Sequence, residues 1–197
     1  MLKPSPELPP EYAVTPATPT PIFDHAWIAR HIPHQGTMCL LDHVVECDAG
    51  HIVCLATTHR NTDHPLRFRD QLSAVVAIEY AAQAMAAHGA ALARREQAPA
   101  VGFLTAVRSV RFGVDRIDTL DAPLRCEATR LSGDARNILY AFKVSAGSTL
   151  VAEGRAAVML DADDSLGIGG RPDSPESASE PRSLDTHARP SPRSRDD

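Results

Sequence analysis

One carboxylate stands inside the most apolar stretch of this 197-residue chain. Glu79 lies in Val75-Val76-Ala77-Ile78-Glu79-Tyr80-Ala81-Ala82-Gln83-Ala84-Met85-Ala86, and no basic residue occurs between Gln71 and Arg94. An ionised carboxyl group buried without a partner suffers heavily from desolvation. Its pKa should therefore rise, or a partner should reach it from another segment. Gln83 follows four residues later on the same helix face, where its amide can orient the carboxyl group. A carboxylic acid kept neutral by apolar surroundings, and so able to give up a proton, is the chemistry this pattern points to. The competing reading is a helix face open to solvent, or a structural hydrogen bond to a strand. His88 has the residue type of a base, but nine residues at about 100° each place it across the helix from Glu79. It reads as a core histidine.

Nine histidines and four cysteines raise the question of a metal or a disulfide. Cys39, Cys47, Cys54 and Cys126 form no C-x-x-C pair, and no H-E-x-x-H run occurs. The cysteines read as small buried hydrophobes of a reducing compartment, and no metal site is expected.

The elements that must position Glu79 follow from composition and period. Of 16 prolines, seven fall in residues 1–22 and five in 161–197. Both segments lack an apolar period and read as disordered tails, leaving one domain over 23–160. Within it Asp24 caps a short helix from His25 to His31. Runs 38–47 and 51–58 flank the turn Asp48-Ala49-Gly50 as a hairpin. Residues 71–95 are alanine-rich, free of proline and basic at the end, which predicts a long helix. It is apolar nearly all round and therefore buried. Four strand-like runs follow, over 102–112, 123–132, 137–146 and 149–160, with turns at Gly133-Asp134 and Gly147-Ser148. The pattern is α+β, an antiparallel sheet wrapped around one long central helix.

Charge narrows the function. Residues 23–160 hold 14 Lys+Arg and 14 Asp+Glu, so this neutral domain is not expected to bind nucleic acid by phosphate neutralisation. No run approaches the ~18–20 apolar residues of a membrane span, and the opening segment has no secretory h-region. A cytoplasmic protein is expected.

The segment IPHQGTMCLLDHVVECDAGHIVCLATTHR, a polar loop, and then AIEYAAQAMAAHGA together resemble the 3-hydroxyacyl-carrier-protein dehydratases of the hot-dog fold. Those carry a Leu-Pro-His segment, a Leu-Leu-Asp strand and a central helix with Glu-x-x-x-Gln, matched here by Glu79 and Gln83. The His-Gly that follows and the later GFLTAVRSVRF are closer still to the divergent predicted dehydratases found with aryl-polyene synthesis genes. The likeness spans roughly residues 24–160. One departure matters. The family's catalytic histidine sits in a Gly-His-Phe-Pro segment before the helix, and this chain has no such segment; its loop, shorter than the family's, reads Asp63-His64-Pro65-Leu66-Arg67-Phe68-Arg69-Asp70. His64 is one replacement for the base, and an exposed loop residue is the other reading of it. His34 matches a family position that is not the usual base, and it reads as structural, as channel lining, or as a replacement base.

The resemblance implies dehydration of a 3-hydroxyacyl thioester, carried on acyl carrier protein, to the trans-2-enoyl product, a reaction for which no soluble cofactor is expected. A base would remove the C2 proton while Glu79, as the acid, protonates the departing hydroxyl. The free N–H groups of a helix N-terminus near Gln71–Ala74, with Gln71 and Leu72 foremost, would polarise the thioester carbonyl. Hot-dog domains pair edge to edge, so a homodimer or a heterodimer with another hot-dog subunit is expected. Two rival readings stand beside this one. The chain is a non-catalytic subunit whose partner carries the histidine, or it is an acyl thioesterase.

Overall fold

The side chain of Asp24 accepts a hydrogen bond from the Trp27 N–H at 2.8 Å, and this cap opens α1 (His25–His31) where the sequence predicts it. The structure is a computed structural model and describes residues 20–93, 102–134 and 136–160. The expected tails, 1–22 and 161–197, lie outside these residues except at 20–22. There the Ile22 N–H donates to Val44 O at 2.7 Å, one residue before the expected domain start.

Seven strands form one antiparallel sheet: β1 (Phe23–Asp24), β2 (His43–Cys47), β3 (His51–Ala56), β4 (Gly102–Phe112), β5 (Leu124–Gly133), β6 (Asn137–Ala146) and β7 (Thr149–Leu160). Their order in space is β1-β2-β3-β5-β6-β7-β4. The chain thus leaves the sheet after β3, crosses it as α2 (Ala77–Leu92) and re-enters at the opposite edge as β4. The concave face packs Val44, Ile52, Cys54, Cys126, Ala128, Tyr140, Phe142 and Val144 against Tyr80, Ala81, Ala84 and Met85 of the helix. Alanines let the helix sit close to the sheet, and burying this apolar surface is the main force holding the two together. This is the α+β arrangement expected from the sequence.

Two boundaries differ from expectation by five residues or more. Helix α2 begins at Ala77, not Gln71, after a 3-10 turn over Ala74–Val76. The backbone donors of the preceding residues are already spent. Gln71 N–H bonds Phe68 O, Leu72 N–H bonds Asp118 Oδ1, and Ala74 N–H bonds Asp115 O. The β4–β5 connection thus holds this segment extended, an influence that local propensity does not report. The expected strand over 38–47 shortens to His43–Cys47 because Gly36–Met38 forms a 3-10 turn, with Gly36 at φ +57°. The helix ends when Ala93 turns extended, at ψ 140°. Arg94 and Arg95 lie outside the described residues.

Candidate active site

The 3-10 turn and the residues around it carry the site. Pro33 ends α1, and the loop runs to Leu40 against the middle of α2. There Gln83, fully buried, accepts from the Leu40 N–H at 2.8 Å and donates to Met38 O at 2.8 Å. Its Nε2 also donates to Glu79 Oε1 at 2.9 Å, as the i, i+4 spacing allows. The same loop brings His34 over the helix, with Nε2 at 3.0 Å from Glu79 Oε1. Glu79 and His34 are each partly open, at 30% and 27% side-chain exposure. A histidine, a carboxylate and a buried amide therefore converge within one chain.

The charge state of Glu79 departs from expectation. An apolar helix was expected to keep the group neutral. Instead the His34 hydrogen bond, with a smaller contribution from Gln83, holds its carboxyl below the usual range against the opposing effect of burial. Glu79 is thus a carboxylate at neutral pH. The tautomer of His34 follows. Nδ1 is buried and has no hydrogen-bond partner among the described residues, so a proton there would be an orphaned donor. Nε2 is the protonated nitrogen, donating to Glu79.

The other candidates fall elsewhere. His64 is buried rather than exposed. Its Nδ1 accepts from the Leu66 N–H at 3.1 Å, which leaves Nε2–H to donate to the Tyr80 hydroxyl at 3.1 Å. Tyr80 meets Thr58 Oγ1 at 2.8 Å, and Thr58 donates to Leu40 O at 2.7 Å. Burial pushes the His64 imidazole below its usual pKa. Both nitrogens are committed to packing the loop, and neither reaches Glu79. A cleft of about 220 Å³ opens beside it, lined by Gly36, Cys39, Thr58, Asn61 and Asp63 but not by Glu79 or His34.

Gln71 and Leu72 do not offer free N–H groups, for the reason given above: Phe68 O and Asp118 take them. Asp118 was not apparent in the sequence. Arg116 and Arg67 pair with it, and its carboxyl is held well below the usual range, chiefly by Arg116. His88 is a core residue as expected, with Nδ1 at 3.0 Å from the Tyr140 hydroxyl and Nε2 at 2.8 Å from Asp48 O. Among the described residues no three His, Cys, Asp or Glu side chains gather as a metal site, and no helix is long and apolar enough to cross a membrane.

The chain is similar to known proteins. The family model described as ApeP-like, ApeP dehydratase, matches residues 26–166. No curated protein matches the chain in sequence. Among solved structures, the dehydratase heterocomplex ApeI:P from Xenorhabdus doucetiae is similar, with a TM-score of 0.63 and 25% identity, covering 71% of this chain and 93% of that one. A thioesterase family protein from Silicibacter pomeroyi is similar in fold, with a TM-score of 0.50 and 14% identity, covering 69% of this chain and 97% of that one.

Proposed function

The chain belongs to the ApeP-like dehydratase family and has the hot-dog fold, and from that premise we propose that it dehydrates a 3-hydroxyacyl thioester carried on acyl carrier protein. The observation that carries this reading is the His34–Glu79 hydrogen bond, because it joins two proton-carrying side chains at a partly open point of the helix. Dehydration removes a proton from C2 and expels the C3 hydroxyl as water, leaving a C2=C3 double bond. As a carboxylate, Glu79 takes the C2 proton through Oε2, which makes no hydrogen bond among the described residues. The carboxylic acid so formed returns that proton to the departing hydroxyl. One proton is taken and one is given, so the residue ends as it began. His34 supports the carboxylate through Nε2–H. The acid role expected for Glu79 is thus kept, but only in the second half of the reaction.

A second hot-dog subunit belongs to this reading, supported by the likeness to a chain of a dehydratase heterocomplex. Strand β4 forms a sheet edge with Phe103, Leu104 and Phe112 exposed, and one face of α2 (Ile78, Glu79, Ala82, Ala86) is only partly covered. A partner sheet joined at β4 would cover this face and enclose the acyl chain.

The test is conversion of a 3-hydroxyacyl thioester to its enoyl product by the chain alone and by the chain with a hot-dog dehydratase partner. Glu79→Gln keeps shape and hydrogen bonding but cannot carry the proton. We expect it to lower turnover about 10²–10⁴-fold with the fold intact. Full turnover of the complex with Glu79→Gln would instead assign the chemistry to the partner, and this chain would be the non-catalytic subunit.

A further inference from the structure

Gln83 occupies the centre of the helix with a fully satisfied amide. Its oxygen faces the Leu40 N–H, which can only donate, and its nitrogen faces Met38 O, which can only accept, so the amide has one orientation. The remaining N–H points at Glu79 Oε1. That same oxygen accepts from His34 Nε2. Glu79 therefore has two unlike oxygens, one holding two donors and one holding none among the described residues.

The loop that carries His34 is tied at both of its ends. At its start Gln35 Nε2 donates to Ala29 O at 2.7 Å and to Ile32 O at 3.3 Å, which fastens it to α1. At its end Gln83 joins the backbone of Met38 and Leu40 directly to the middle of α2, and Thr58, bonded to Tyr80, adds a bridged link to Leu40 O. His34 lies close to the first tie and is aimed by the second.

We infer that Gln83 is a positioning residue. It clamps the 34–40 loop to α2 so that His34 reaches Glu79, and it reserves Oε1 for bound donors so that Oε2 is the oxygen that exchanges the proton. The inference rests on the reading of Glu79 as the proton carrier. Gln83 itself touches no reacting atom. It acts through the geometry of the pair, where a displacement of about 1 Å is enough to cost about 10²-fold in rate.

The experiment compares Gln83→Met and Gln83→Glu with the wild-type chain, each in the assembly that turns over substrate. Gln83→Met keeps the volume and removes every hydrogen bond. Gln83→Glu keeps an acceptor for Leu40 but, when ionised, faces Glu79 with a second carboxylate and no donor. Both should lower kcat by about 10²-fold while KM stays nearly constant, the split expected when transition-state geometry alone is lost. The second readout does not depend on turnover. In the wild type, ¹⁵N NMR should find His34 in the Nε2–H tautomer and the Leu40 amide slow to exchange. In Gln83→Met the tautomer should become mixed and the amide fast. Should Gln83→Met fail to fold, Gln83→Glu decides by the same tautomer signal and by kcat. A wild-type kcat in either folded variant, or an unchanged His34 tautomer in both, overturns the inference. Should every protein prove inactive, the proposed function fails, and the NMR comparison still decides whether Gln83 clamps His34.

Discussion

At the scale of single residues, His34 and His64 are the instructive pair, since both stand near the start of the site in sequence. His34 has one nitrogen on Glu79, whereas His64 has one on a backbone N–H and the other on Tyr80. Substituting them should therefore fail in different ways. His34→Ala removes a donor from the carboxylate without disturbing the core, so turnover should fall while the unfolding midpoint stays near wild type. His64→Ala removes one of the two partners of the buried Tyr80 hydroxyl, which keeps Thr58, and the only side-chain partner of the part-buried Leu66 N–H, so it should cost about 1–3 kcal/mol in all. Its activity per folded molecule should be close to wild type. Denaturant unfolding and steady-state kinetics on the two variants check both statements. Equal kinetic losses would show that His64, not His34 alone, serves the reaction.

At the scale of elements, the connection into α2 stores strain. Arg69 and Asp70 both have positive φ, at 49° and 60°, in the tight turn where Phe68 pairs with Gln71. Neither is glycine, and a left-handed conformation costs an ordinary L-residue roughly 1–2 kcal/mol, less for asparagine. The Arg69 guanidinium lies 5.1 Å from the Phe68 ring centre, a contact worth about 0.5–1 kcal/mol at an exposed site. The strain is the larger of the two, so Arg69→Asn should stabilise the protein by about 0.5–1 kcal/mol in urea unfolding. A destabilised variant would mean that the ring contact dominates. Gly113, just after β4, shows the opposite limit. A Cβ there would stand 2.3 Å from Leu150 O, and the Gly113 N–H already bonds Val151 O at 3.0 Å. No rotamer relieves a clash with backbone, so Gly113→Ala should cost at least the 1–3 kcal/mol typical of overpacking.

At the scale of the whole molecule, three buried histidines set the response to acid. Burial holds His59, His64 and His88 each below the usual imidazole pKa. The unfolded chain protonates these side chains first as pH falls, so it binds more protons than the folded chain below about pH 6.5. Their contribution to stability is fully present above that pH and is lost as pH drops toward their folded values. Urea midpoints should fall progressively from pH 7.5 to pH 5, and His88→Gln should flatten part of that slope. Assembly is the other molecular property. Phe103→Glu with Phe112→Glu places charge on the exposed edge strand without touching the buried core. This double variant should remain folded but sediment as a monomer and lose a hot-dog partner. A variant that still associates would move the interface away from β4.

The sequence alone determined the architecture, because periodicity and turn residues are local quantities. Asp24 before His25, Asp48-Ala49-Gly50 between two β-rich runs, and an alanine-rich helix followed by four strands were legible as they stand. So was the contact between Glu79 and Gln83, since a carboxylate in an apolar helix demands a partner and four residues are one turn. What the sequence could not supply was the partner's identity. His34 is 45 positions from Glu79, and contacts between distant segments, among them those of Gln83 with Met38 and Leu40, bring them together. The contact of His34 with Glu79 decides the charge on Glu79, reversing the expectation drawn from burial alone. The start of α2 was hidden for the same reason, because Asp115 and Asp118 take the donors of Ala74 and Leu72 from beyond β4. Local free-energy preferences act over a few residues, whereas hydrogen bonds between distant segments exist only once the chain has closed, and the chemistry of this site resides in them.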